Sequence, residues 1–128
     1  MRVDIILFSK QKDYFLVTPH GSIDTDTHDT FREAVHPLLK KGLKGICVDL
    51  KNVEYISSAG LGVLFSMKKF LDQNKGELLF CHAQPQITKL FQAVQYLPAD
   101  MIFKSLEEAD RYLYNVMNET IRKEKRKK

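Results

Sequence analysis

The sequence DLKNVEYISSAGLGVL, residues 49–64, joins the end of an apolar strand to a pair of serines and the start of a helix. The segment just before it, Ile46 to Leu50, is short and almost entirely apolar, as expected of a strand buried in a parallel sheet. After the serines, small and apolar residues recur at helical spacing: Gly60, Val63, Leu64, Met67, Phe70 and Leu71. We therefore predict a strand-to-helix corner at residues 57–59.

The serines at this corner have two interpretations. A serine directly before a helix accepts a hydrogen bond from an N-terminal backbone N–H, which is why serine is common there. The same position offers unpaired N–H groups and the positive end of the helix dipole, which favour an added phosphate. The spacing alone favours the cap.

The rest of the chain alternates between predicted strands and helices. The further strands are Asp4–Phe8, Tyr14–Thr18, Glu77–Cys81 and Met101–Phe103; the further helices are about Thr27–Lys41, one from Pro85 and one after Ser105. Short loops between alternating elements predict an α/β fold with a mixed, mainly parallel sheet of about five strands and about four helices. The first two strands form an antiparallel hairpin.

Three prolines bear on the element boundaries. Pro37 predicts a kink in the first helix or a break into two short pieces. Pro19 ends the second strand or lies at a sheet edge, and Pro98 closes the third helical segment. Before the last helix, Ser105 and Glu108 have the spacing of a capping box.

The composition is that of one soluble domain, with 128 residues of which 44% are hydrophobic and 28% charged. We assign residues 1–118 to this domain and 119–128 to a basic C-terminal tail, a frayed helix end. Residues 122–128 contain six basic residues and one acidic residue, a charge of +5. Since the whole chain has a net charge of +4, the remaining residues together carry −1. Because no aromatic residue interrupts these cations, direct nucleic-acid binding is not predicted.

Location and redox state follow from what the sequence lacks. No apolar run approaches the ~20 residues that cross a bilayer, and the N-terminus has no signal pattern, so we expect no transmembrane segment and a cytoplasmic protein. Cys47 and Cys81 are not in C-x-x-C spacing, which favours buried reduced thiols over a disulfide or a metal site. The four histidines are scattered, and no chemistry is assigned to them.

Three segments together resemble one family. Residues 48–64 resemble the signature of the STAS domain, in particular that of stand-alone anti-sigma factor antagonists, the partner-switching proteins. HGSIDTDT, residues 20–27, resembles the family's Gly-x-Leu-Asp turn, and SLEEA, residues 105–109, its start of the last helix. The resemblance spans about residues 5–113 and implies the STAS fold, with helices mainly on one face of the sheet.

The resemblance also implies a phosphorylation switch. In these antagonists a serine before the loop-to-helix transition is phosphorylated by a kinase that is also the anti-sigma factor; by position this serine is Ser58. The sequence departs from one common family pattern at the two neighbouring positions. Ser57 stands where that pattern has Asp and adds a second possible phosphate acceptor, so it is the second choice; Ala59 stands where the pattern has a second Ser or Thr and removes one. The unphosphorylated form would bind the kinase and release its sigma factor, and a PP2C-type phosphatase would reset the cycle.

The expected partner-binding surface surrounds this serine. Leu61 and Phe65 are either peripheral core or an exposed patch, and Gly60 and Gly62 are expected to permit close backbone approach. A role for Asp24 in partner contact or in supporting the switch loop is implied by the resemblance alone. The full predicted set is Asp24, Thr25, Ser57, Ser58, Ala59, Gly60, Leu61, Gly62 and Phe65.

An enzyme is not predicted. The chain has no G-x-x-x-x-G-K-[ST] phosphate loop and no G-x-S-x-G elbow, and Phe65 stands where a third glycine would follow Gly60 and Gly62. Asp24 and Asp49 each have a structural explanation, at a turn and a strand end. We expect no catalytic residue, cofactor or metal.

Two alternatives to the switch remain. One is a STAS scaffold or lipid-transport subunit that is not phosphorylated, and the other is a partner switch with a non-sigma output.

Overall fold

The computed structural model of the protein describes residues 1–8, 12–95, 97 and 99–126, with the backbone alone for 99 and 117–126. Its elements are, in order, β1 (Arg2–Leu7), β2 (Tyr14–His20), α1 (His28–Val35), a 3₁₀ helix (His36–Leu38), β3 (Gly45–Asp49), α2 (Ser58–Gln73), β4 (Glu77–Cys81), α3 (Pro85–Ala93), a second 3₁₀ helix (Ala99–Met101), β5 (Ile102–Phe103) and α4 (Leu106–Arg126).

The five strands form one sheet in the order β1-β2-β3-β4-β5. Only β1 and β2 pair antiparallel, and each later neighbour pairs parallel. The predicted mixed, mainly parallel sheet with an initial hairpin is therefore confirmed. All five residues of β3 are buried, because this central strand is covered on both faces.

Helices cover the two faces of the sheet unequally. The larger core joins one face to α1, α2 and α3 through buried side chains such as Phe31, Leu64 and Phe91. The smaller core joins the opposite face to Ala109 and Leu113 of α4. The arrangement implied by the family resemblance, with helices mainly on one face, is present.

Pro37 divides the first predicted helix. The α-helix ends at Val35, and Pro37 lies in the 3₁₀ helix that follows. Of the two predicted alternatives, a kink or a break into two short pieces, the structure shows the break, because proline removes a helical N–H donor and its ring clashes with the preceding turn. The predicted end at Lys41 is wrong, since the chain leaves helical geometry at Leu39, where ψ is 74°.

The other boundary signals act locally. Pro19 lies in β2 beyond the last residue that pairs with β3, so the missing N–H costs that pairing nothing. Pro85 is the first residue of α3. Ser105 Oγ accepts from Glu108 N–H at 3.2 Å, while Glu108 Oε2 accepts from Lys104 N–H at 2.8 Å, one residue earlier than in a standard capping box. Pro98 lies outside the described residues.

Candidate functional site

Ser57 and Ser58 have different roles at the corner before α2. Ser57 is the N-cap: its backbone is extended, and its Oγ accepts a hydrogen bond from Gly60 N–H at 3.2 Å. Ser58 is the first residue of the helix. The capping interpretation therefore applies to Ser57.

The Ser58 side chain is exposed at the N-terminus of α2. Among the described residues, none forms a hydrogen bond or ion pair with its hydroxyl. The first turn of α2, all of which is described, contains no acidic residue. An anion on Ser58 would therefore meet the positive end of the helix dipole without a carboxylate in the same turn.

Backbone hydrogen bonds attach the turn before α1 to this corner. Ile23 and Ile56 form a parallel bridge, in which Ile23 N–H donates to Tyr55 O at 3.0 Å and Ser57 N–H donates to Ile23 O at 2.9 Å. Both isoleucine side chains are buried. The predicted turn and the predicted serines, far apart in sequence, therefore lie side by side.

Asp24 organises the turn itself. Its Oδ1 accepts from Asp26 N–H at 2.9 Å and from Thr27 N–H at 3.1 Å, and Thr27 Oγ1 donates to Ser22 O at 2.6 Å. These bonds hold the loop against the start of α1. They support the turn role of Asp24, whereas its contact with a partner stays a prediction.

Gly60 and Gly62 differ in their surroundings. A Cβ on Gly60 would overlap Ile23 O, the acceptor of the Ser57 N–H, and would lie 2.9 Å from Ile23 Cγ2. A Cβ on Gly62 would meet nothing within 4 Å. The expected close backbone approach is present at Gly60 and absent at Gly62.

The predicted partner surface is partly exposed. Leu61 and Phe65 are half-buried and pack against the larger core, in agreement with the peripheral-core interpretation. Exposure across the set is graded: Thr25 and Ser58 are exposed, Asp24, Ser57, Ala59, Leu61, Gly62 and Phe65 are half-buried, and Gly60 is buried.

Sequence reasoning missed Tyr55 as a surface residue. Its side chain is 58% exposed, two residues before the cap, while its carbonyl holds Ile23. Residues 51–57 form no regular element apart from the bridge at Ile56. No hydrophobic periodicity therefore signalled which side of this loop faces solvent.

The STAS domain model matches residues 6–109. This chain belongs to the STAS domain family. Of curated relatives, the anti-sigma-B factor antagonist of Staphylococcus aureus (strain NCTC 8325 / PS 47) is 33% identical over 82 residues, covering 64% of this chain and 76% of the relative. BtrV of Bordetella bronchiseptica (strain ATCC BAA-588 / NCTC 13252 / RB50), a candidate anti-sigma factor antagonist, is 36% identical over 89 residues, covering 70% of this chain and 77% of BtrV.

Solved structures agree on the STAS fold. The unphosphorylated anti-sigma factor antagonist SpoIIAA superposes with a TM-score of 0.73 at 15% identity, covering 89% of this chain and 97% of SpoIIAA. The phosphorylated form of SpoIIAA, a Bacillus cell fate determinant, superposes with a TM-score of 0.69 at 15% identity, covering 88% of this chain and 99% of SpoIIAA. Within the described part of this STAS chain, no helix combines the length and apolar character needed to span a membrane.

The different roles of the two serines predict that only Ser57→Ala lowers the stability of the protein. Ser57→Ala should lower the free energy of unfolding by about 1 kcal/mol, because it removes the N-cap acceptor. Ser58→Ala, the matched control, should change it little, since the hydroxyl is exposed and has no partner among the residues that the structure describes. Urea unfolding followed by circular dichroism measures both. Equal losses in the two variants would contradict the assignment of the cap to Ser57.

The two glycines provide a second matched pair. Gly60→Ala should destabilise the protein by about 2 kcal/mol, because the new methyl group pushes α2 away from Ile23. Gly62→Ala should stabilise it by about 0.5 to 1 kcal/mol, since alanine is the better helix former and the site has room. Thermal and urea unfolding of both variants check the signs. A neutral Gly60→Ala variant would show that this close contact is not needed.

Proposed function

We propose that this STAS protein is a cytoplasmic anti-sigma factor antagonist controlled by phosphorylation of Ser58. The unphosphorylated form binds a serine kinase that is also an anti-sigma factor and thereby releases the sigma factor. Phosphorylation ends this binding, and a PP2C-type phosphatase restores it. The names of the Staphylococcus and Bordetella relatives support the antagonist role. The existence of SpoIIAA in unphosphorylated and phosphorylated forms supports the switch.

The observation that carries the proposal is the separation of cap and acceptor. The Ser57 hydroxyl already holds Gly60 N–H, whereas the Ser58 hydroxyl is exposed and unbonded among the described residues. Phosphorylation of Ser58 therefore breaks no hydrogen bond of the described structure. Phosphorylation of Ser57 would change the group that caps α2.

The phosphate acts by changing the charge of the docking surface. It adds about −1.5 to −2 charges at neutral pH, next to a helix N-terminus that tolerates an anion. A partner surface fitted to a neutral serine must then desolvate or repel this charge. We expect affinity to fall at least about tenfold, or about 1.4 kcal/mol, without refolding.

The docking surface joins the corner to the turn beside it. Ser58 and Thr25 are exposed, and the bridge between Ile23 and Ile56 fixes their segments side by side. Tyr55 adds an exposed aromatic ring, the kind of side chain that often anchors an interface. We therefore include Tyr55 in the partner-binding set, together with the residues predicted from sequence.

The first test is phosphorylation in the organism that encodes the protein. The wild type, Ser58→Ala and Ser57→Ala are purified from growing and from stressed cells for intact-mass and peptide mass spectrometry. We expect one phosphate on Ser58, with an occupancy that depends on condition, absent from Ser58→Ala and retained in Ser57→Ala. Phosphate on Ser57 would contradict the assignment of the site. No phosphate under any condition would contradict the switch and favour the scaffold alternative.

The second test measures binding to the serine kinase that phosphorylates Ser58. Calorimetric titration should show that Ser58→Ala binds like the unmodified wild type, while Ser58→Asp binds at least about tenfold more weakly. Tyr55→Ala should also weaken binding without loss of stability. Equal binding by the Asp and Ala variants at position 58 would count against control by charge.

A further inference from the structure

A row of polar and sulfur-bearing side chains crosses the α4 face of the sheet. Asp4 pairs with Thr18 across β1 and β2, and Asp49 pairs with Cys81 across β3 and β4. Thr18 follows the last residue of β2 that pairs with β3, which places it beside Asp49. Thr18 and Asp49 are the polar or charged residues recorded as buried in the described part of the chain. The row lies where β2, β3 and β4 end.

Three different metal-binding groups meet at one end of this row. The Asp49 carboxylate, the Cys81 thiol and the His82 imidazole place one ligand atom each within 4.8 Å of one another. His82 Nδ1 lies 3.1 Å from Asp49 Oδ1. Ligand atoms roughly 2.0 to 2.3 Å from a tetrahedral Zn²⁺ stand about 3.3 to 3.8 Å apart. Small side-chain movements therefore bring the three atoms to metal-binding distances.

The ends of two parallel strands produce this convergence. Asp49 and Cys81 are the last residues of β3 and β4, and they are in register with both side chains buried. His82 follows with φ of 57°, a left-handed conformation that is unfavourable for a residue with a side chain. Its N–H donates to Phe103 O at 3.2 Å. In this conformation the imidazole reaches Asp49.

An ion pair alone is the competing explanation for the buried carboxylate. Asp49 Oδ1 accepts from Lys51 N–H at 3.1 Å, and Asp49 Oδ2 lies 3.6 Å from Lys51 Nζ. The Lys51 side chain is 56% exposed, so it can withdraw into solvent when another cation arrives. The ion pair accounts for Asp49 and His82, but it gives no role to the adjacent Cys81 thiol.

Cys47 supports Cys81 from the neighbouring strand. Its Sγ donates to Cys81 Sγ at 3.6 Å, and both side chains are buried. A thiolate that binds a metal is stabilised by such a donor, because the donor compensates part of its charge.

We propose that Asp49, Cys81 and His82 bind one thiophilic divalent cation of the zinc class. Carboxylate, thiolate and neutral imidazole are all ligands of Zn²⁺, whereas Mg²⁺ and Ca²⁺ prefer oxygen alone. Binding replaces the Cys81 thiol proton, which leaves to solvent, and uses the His82 tautomer with its proton on Nε2. The bound cation ties the end of β3 to the end of β4. This site does not depend on the proposed switch at Ser58.

The Asp49 and Cys81 side chains are buried, but the cluster borders solvent on two sides. The His82 side chain is 33% exposed. Asp49 also lines an open cleft of about 420 Å³, together with Thr18, His20 and Lys51. An approaching cation would therefore meet the site first at His82 or at the Asp49 side of this cleft.

The experiment titrates the untagged, metal-free full chain with Co²⁺, a spectroscopic substitute for Zn²⁺. We expect a thiolate-to-cobalt absorption band in the near ultraviolet that saturates at one equivalent and disappears when Zn²⁺ displaces Co²⁺. Cys81→Ala should abolish the band, and His82→Ala should weaken Co²⁺ binding at least about tenfold. Cys47→Ala should weaken Co²⁺ binding but retain the band at saturation, because Cys47 supports Cys81 without binding the cation. The switch variant Ser58→Ala, the matched control, should leave both the band and the affinity unchanged.

Three results would overturn the proposal: no thiolate band in the wild type, a band that survives Cys81→Ala, or a band that requires Cys47. Circular dichroism of the metal-free variants checks their folding. If Cys81→Ala does not fold, the partly exposed His82 gives the decisive variant, and undiminished Co²⁺ affinity in His82→Ala then overturns the ligand set. Retention of the band in Ser58→Ala keeps this result separate from failure of the phosphorylation switch.

Discussion

The two hydrogen bonds that Ile23 makes with the loop before α2 set the geometry of the candidate site. Its N–H and its carbonyl bind Tyr55 and Ser57, on either side of the bridge to Ile56. The same carbonyl leaves no space for a side chain at position 60, so the helix approaches the turn only with glycine there. This contact of Ile23 therefore holds the turn beside the cap of α2 and beside the exposed Ser58.

A switch at a helix N-terminus suits a protein that changes partners without changing fold. The Ser57 hydroxyl accepts from Gly60 N–H, one of the donors that the start of a helix leaves unpaired, while the exposed hydroxyl of Ser58 has no partner among the described residues. The structural task of Ser57 and the regulatory task proposed for Ser58 are thereby separated by one residue. A modification at Ser58 then changes surface charge, and the packing of α2 against the sheet is unaffected because its buried residues begin at Gly60.

Both proposed sites depend on the end of β3. Asp49 ends the strand on the α4 face, and the segment that follows leads to Ser58 at the start of α2. Parallel sheets commonly carry their binding sites at the carboxyl ends of strands, where loops and helix N-termini converge. The proposed phosphorylation site and the proposed metal site thus lie at one edge of the sheet, on its opposite faces.

The sequence by itself determined the elements and their order. Periodicity identified β3 and the buried stripe of α2, Pro37 predicted the division of the first helix, and Ser105 with Glu108 predicted the cap of α4, because each signal acts within a few residues. Only tertiary structure decided which serine is the cap, which glycine needs its missing side chain, that Tyr55 is exposed, and that Asp49, Cys81 and His82 meet. The cap is itself a local contact of Ser57 with Gly60, but the corner in which it forms is held by the distant Ile23. The other outcomes depend on contacts between residues about thirty positions apart, such as Ile23 with Ile56 and Asp49 with Cys81, and a local sequence pattern does not specify which distant segment packs against it.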